Sequence, residues 1–145
     1  MNLLQLCDET PATVKPETSV AQAIQLMLER RVGAVAVVDA ERRVAGIFTE
    51  RDVLRKVALS GRDPNTIKVS ELMTTPVELG TLETTPGEAL NAMVGSHYRH
   101  LPLVDADGRL LGVLSIRNLL QARIDDLSQQ LDSLEQYVTN DAQGG

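Results

Sequence analysis

Aromatic residues and cysteine are nearly missing from this 145-residue chain: no Trp, one Phe (Phe48), two Tyr (Tyr98 and Tyr137) and one Cys (Cys7). A lone cysteine excludes an intrachain disulfide and fits a reducing compartment. Cys7 reads as a small apolar residue at the edge of a core, with nothing flanking it to depress its pKa. The core must come from Val, Leu, Ile, Ala and Met, and the 43% hydrophobic content is enough for one ordinary domain. Basic charge is also short, with 14 Lys and Arg against 20 Asp and Glu, a net charge of -6. An acidic, aromatic-poor chain lacks the basic footprint and stacking platforms of a nucleic-acid binder. No apolar run approaches a bilayer span. Met1 to Thr10 carries no basic region ahead of an apolar stretch, so no secretory signal is expected. The expected location is the cytoplasm, with neither membrane nor nucleic acid as partner. A phosphate-binding P-loop and a nucleophile elbow are both missing, which argues against an enzyme.

What the chain does contain is one unit written twice. Shifted by 66 residues, its halves align without a gap. Leu6 falls on Leu72, Glu17 on Glu83, Thr18 on Thr84, Ala23 on Ala89 and Met27 on Met93. Val38-Asp39-Ala40 falls on Val104-Asp105-Ala106, Gly46 on Gly112, Arg51 on Arg117 and Leu54 on Leu120. Thr49/Ser115 and Asp52/Asn118 are conservative pairs. Repeat one is expected over 1–60, a turn-rich linker over 61–66 and repeat two over 67–122. A C-terminal helix follows over 123–139, then a disordered tail over 140–145.

Each copy reads as β-α-β-β-α, an α+β unit. Val20, Ala23, Ile24, Met27 and Leu28 recur at helical spacing, with Ser19 as N-cap and Gly33 as the expected stop. Ala34 to Val38 is a short apolar run, hence a buried strand, and Val44 to Phe48 is its partner. The turn between them carries a clearer hairpin signal in repeat two, Asp105-Ala106-Asp107-Gly108. A second helix starts at Thr49. In repeat two that helix continues, and Leu120, Ile124, Leu127, Leu131, Leu134 and Val138 step by four and three as a heptad seam.

Three features of the sequence, each present twice or bridging the copies, resemble the CBS-domain family, named after cystathionine β-synthase. They are the strands ending in Val-Asp (Val38-Asp39, Val104-Asp105), the Gly-bearing strand running into Thr49-Glu50-Arg51-Asp52, and Val69-Ser70-Glu71-Leu72-Met73 opening repeat two. The resemblance covers residues 1 to about 122. It implies two repeats packed as a pseudo-twofold pair, with clefts between them that bind AMP, ADP, ATP or S-adenosylmethionine as a regulatory ligand and require no cofactor. It implies a regulatory module acting on a partner in trans, usually as a homodimer, which the seam would extend. The contrasting reading is a scaffold with empty clefts that works through its C-terminal helix.

Thr49 and Asp52 carry the sharpest site expectation. A hydroxyl at a helix start can bond phosphate, and a carboxylate accepts two bonds from a ribose diol. Thr-x-x-Asp is equally a helix capping box, and the residues alone leave both open. Ser115 keeps the hydroxyl in repeat two, but Asn118 replaces the acid, which ranks the repeat-one site first. Arg51 and Arg117 suit phosphate bidentately or are surface arginines. By resemblance, Arg99 and His100 reach phosphate across the cleft. Val14, Lys15, Ala34, Val35 and Ala36 would wall one adenine pocket, with Gly80, Thr81, His100, Leu101 and Pro102 as their counterparts. His97 and His100, with no nearby carboxylate or Cys, make a poor metal set.

Overall fold

The computed structural model describes residues 2–8 and 10–144, with side chains described through Thr139. In repeat one, β1 (Thr13–Val14) lies parallel to β2 (Ala34–Val38), and β2 pairs antiparallel with β3 (Val44–Thr49). Between β1 and β2 runs α1 (Val20–Arg30). Ser19 accepts the Gln22 N–H at 3.1 Å and closes a full capping box, as its position before the apolar stripe predicts. The stripe buries Val20, Ala23 and Met27 against β2, whose five residues are all buried.

The helix stop differs from expectation. Arg31, not Gly33, takes the left-handed conformation (φ 55°), and the N–H groups of Arg31 and Val32 both return to the Met27 carbonyl. Recovering that carbonyl offsets the roughly 1 kcal/mol that a non-glycine residue costs there. The repeat-two equivalent, His97, is also left-handed, at φ 61°. Gly33 instead opens the way into β2, where an added Cβ would lie 3.4 Å from both the Glu50 carboxyl and the His100 ring.

After β3, α2 (Glu50–Asp52) passes into a π turn over Val53–Val57. Repeat two follows the same plan, with α3 (Val69–Leu72), α4 (Pro86–Ser96), and the antiparallel pair β4 (His100–Val104) and β5 (Leu110–Ser115). Its first strand shrinks to one parallel bridge, Gly80 to Leu103. Gly80 stands where repeat one has Val14, and the Leu103 side chain comes within 2.7 Å of the position its Cβ would take. A glycine with no side chain to pack weakens a strand.

Two details show how the repeats join. Their hairpins meet on the pseudo-twofold axis: Arg43 bridges Arg109, the Val44 N–H donates to Gly108 O, and the Leu110 N–H donates to Arg42 O. Arg42 (φ 67°) and Gly108 (φ 83°) occupy equivalent left-handed turn positions, so the glycine is the unstrained choice only in repeat two. The start of each repeat is also buried in the other. Leu3, from a short 3₁₀ turn over Leu3–Leu6, is fully buried among Ala89, Met93, Leu101, Leu103, Leu114 and Leu119. Ile67 and Val69 pack with Val20, Val35 and Phe48.

The last helix, α5, runs Ile116–Gly144. It therefore continues past Asn140, where a disordered tail was expected: no Pro or Gly interrupts residues 116–143. Gly145 lies outside the described residues. Leu119 anchors α5 in the core, while Leu120, Ile124, Leu127, Leu131, Leu134 and Val138 are exposed. Among the described residues, no helix is long and apolar enough to cross a membrane.

Candidate functional site

A cleft of about 620 Å³ opens between the repeats where α5 begins. Its apolar lining includes Ala12, Val32, Ala34 and Val113, and its polar lining includes Asp8, Arg31, Glu50, Arg99, His100, Ser115, Arg117 and Asn118. That volume lies within the roughly 300–1,000 Å³ of small-molecule sites. Three guanidinium groups against two carboxylates, over an apolar floor, suit a ligand with a flat ring at one end and phosphate at the other.

The local sequence holds these groups in place. Ser115 caps α5 by accepting the Asn118 N–H at 3.1 Å, and the Ile116 N–H reaches across to Arg99 O at 2.8 Å. Asn118 donates its Nδ2 to Leu6 O at 3.0 Å, tying the helix start to the N-terminal segment. Burial holds the His100 pKa below its usual 6.5; the nearby Arg99 charge acts in the same direction and Glu50 opposes it. The ring is therefore neutral near pH 7. Burial, aided by Asp8, pushes the Cys7 thiol up to about 11, so it stays protonated and unreactive.

The repeat-equivalent positions on the other side are arranged differently. Asp52 is buried, and both its carboxylate oxygens are engaged within the protein. Its Oδ2 accepts from the Thr49 N–H (3.0 Å) and Thr49 Oγ1 (3.2 Å). Its Oδ1 accepts from Thr74 Oγ1 (3.0 Å) and faces Lys56 Nζ at 3.1 Å. Asp52 N–H returns to Thr49 Oγ1, so the pair forms the capping box. Arg51 donates to His97 O at 3.0 Å, and the Tyr98 hydroxyl bonds the Glu78 carboxylate. Glu78, Tyr98 and Arg99 correspond to Ala12, Val32 and Gly33 of the open cleft.

The expected site residues thus divide. Ala34, Arg99, His100, Ser115, Arg117 and Asn118 share the open cleft. Thr49, Arg51 and Asp52 sit together on the opposite side, in contacts with their own chain. Val35, Ala36, Leu101 and Pro102 are core residues, and Lys15 is exposed, its N–H held by Thr18. The sequence reading passed over Asp8, Ala12, Arg31, Val32 and Glu50 as lining residues. The repeat register held a signal for Asp8, whose counterpart is the neutral Thr74. Among the described residues, no group of three His, Cys, Asp or Glu gathers as a metal set.

Comparison with known proteins accounts for this architecture. The CBS-domain family model matches twice, over residues 5–59 and 69–125. The chain is 39% identical over 112 residues to an uncharacterized 17.7 kDa protein of Acidianus ambivalens, covering 77% of this chain and 66% of that one. It spans less than two thirds of the length of that and the next curated relatives. A putative signal-transduction protein with CBS domains from Burkholderia ambifaria superposes with a TM-score of 0.79 at 36% identity, covering 87% of this chain and 96% of the other. The structure of CBSX2 in complex with AMP superposes at 0.77 with 26% identity, covering 86% and 97%. Modules of this kind are generally regulatory and non-catalytic. Two matches in tandem, over two packed α+β repeats, make this chain a member of the CBS-domain family, built as a CBS pair.

Proposed function

We propose that this CBS pair is a non-catalytic sensor that binds an adenine nucleotide, of the AMP, ADP, ATP or S-adenosylmethionine class, in the cleft beside Ser115 and Asn118. The observation that carries this reading is the cleft itself: apolar residues from repeat one, a hydroxyl from the cap of α5 and a guanidinium from its first turn, and two further arginines. The AMP held by its structural neighbour CBSX2 supports the ligand class. This ranks the two clefts opposite to the expectation from Asp52, whose carboxylate is already satisfied. Isothermal titration of the whole chain with the four ligands tests the proposal. One saturable site per chain, weakened about tenfold or more by Arg117→Ala, is the expected result. Binding that is lost in Asp52→Ala but kept in Arg117→Ala would move the site to the other cleft.

The proposed readout is a homodimer whose α5 helices carry the signal to a protein in trans. Large apolar side chains are exposed at repeat-equivalent positions, Leu28 (74%) with Val94 (58%) and Leu54 (72%) with Leu120 (42%), which matches one self-complementary surface. The α5 seam continues from Leu120. A ligand alters this assembly only by binding one arrangement of the repeats better than another. Sedimentation equilibrium of Leu127→Asp/Leu131→Asp, expected to shift dimer to monomer, tests the seam. The seam also favours a second reading, a scaffold that binds another protein and ignores nucleotide. Nucleotide raises the melting temperature of a sensor and leaves that of a scaffold unchanged.

A further inference from the structure

Asp8 and Asn118 line the same cleft, and their repeat equivalents are Thr74 and Asp52. Each pair holds one carboxylate, and the acid has changed places. In repeat one it stands on the helix, where Thr74, Thr49 and Lys56 occupy it. At the other side it stands on the segment before β1, which crosses to repeat two, opposite the neutral amide of Asn118.

The partners differ accordingly. Asn118 spends its Nδ2 on Leu6 O. The counterpart of Lys56 is Ala122, so no ammonium stands there to neutralise an acid. Among the described residues, nothing donates a hydrogen bond to the Asp8 carboxylate and no cation pairs with it. Asp8 is exposed at the cleft rim. Its two oxygens can accept two bonds from a vicinal diol, whereas Asn118 offers one acceptor oxygen. An acid at position 118 would add a third carboxylate to a cleft that Asp8 and Glu50 already line, and the amide there avoids that added repulsion.

We infer that Asp8 is the specificity-determining carboxylate of this cleft, reading the ligand's ribose diol from the N-terminal segment, while Asn118 positions that segment through Leu6. The inference rests on the proposed nucleotide site.

The test is isothermal titration of the full chain with AMP and with 2′,3′-dideoxy-AMP, on wild type, Asp8→Asn, Asn118→Asp and Asp8→Asn/Asn118→Asp. Melting temperatures of the same samples confirm folding. Wild type should prefer AMP. Asp8→Asn should lose about 10- to 100-fold in AMP affinity, the range for a hydrogen bond to a charged group, and keep its affinity for the dideoxy ligand. Asn118→Asp should weaken AMP, and the double variant, which moves the acid to the helix, should recover part of that loss. Asp8→Asn that binds AMP as wild type does, or loses both ligands equally, overturns the inference. Wild type that binds neither ligand overturns the nucleotide reading itself and this inference with it.

Discussion

The two repeat-equivalent sides of this CBS pair are built on one backbone plan and differ in what their side chains do. Beside Asp52 the polar groups satisfy one another: Thr49, Thr74 and Lys56 converge on the carboxylate, and Arg51 reaches His97 O. Beside Asn118 the lining is Ala12, Val32 and Ala34, with guanidinium groups left for something else to use. A satisfied polar network stabilises a fold, whereas charged groups without protein partners are what a ligand engages. Near-symmetric repeats can thus differ in use, one side holding the structure and the other leaving its charged groups available, as the proposed nucleotide site requires.

The strongest way to break that division is at its centre. Asp52→Ala removes a cap and a buried charge with four partners and should cost about 2–3 kcal/mol in urea unfolding, against about 1 kcal/mol for Asn118→Ala. Nucleotide affinity should stay within about twofold in Asp52→Ala; a large loss there would mean that the Asp52 side binds, alone or together with the other according to whether Arg117→Ala also weakens it. Next in size is a pair of glycines that face the crossed segments. A Cβ on Gly46 would come 2.6 Å from Met73 Sδ and 2.9 Å from Thr74 O, while on Gly112 it would meet Cys7 Cβ at 3.0 Å and Sγ at 3.2 Å. Gly46→Ala should therefore destabilise by about 1–3 kcal/mol and Gly112→Ala by about 1 kcal/mol, read by the same unfolding. Equal costs would show that the two sides are packed alike.

The smallest effect concerns His100 in the open cleft. Its folded pKa lies below the usual 6.5, so on acidification the unfolded chain takes up the proton first. The stability contribution is complete above pH 6.5 and is lost as pH falls through the folded value. Chemical unfolding across this range should show the decline in wild type and less of it in His100→Gln. An identical decline in that variant would assign it to other groups.

Much of this was legible in the sequence, and what was not has definite causes. The 66-residue register, the α1 stripe from Val20 to Met27 and the run Ala34–Val38 are local patterns, and local patterns suffice for the α+β repeats. Which cleft stays open is not local: it depends on Tyr98 meeting Glu78 and on Val32 facing Ala12, pairs that no periodicity announces. Thr49 and Asp52 fit two readings at once, and the contacts of Asp52 with Thr74 and Lys56, from outside its own cap, were not legible in the local motif. Arg31 and His97 in left-handed caps ran against residue preference, and at Arg31 a carbonyl to recover outweighed the missing glycine.

The exchange of starting segments between the repeats also sets an order of events during synthesis. Repeat one lacks part of its core until Ile67 and Val69 leave the ribosome. Leu3 has no place to pack until Leu119, far downstream of it, has been made. The two repeats therefore cannot be completed one after the other, and the starting segment of repeat one must wait, unburied, for a stretch of sequence still to come.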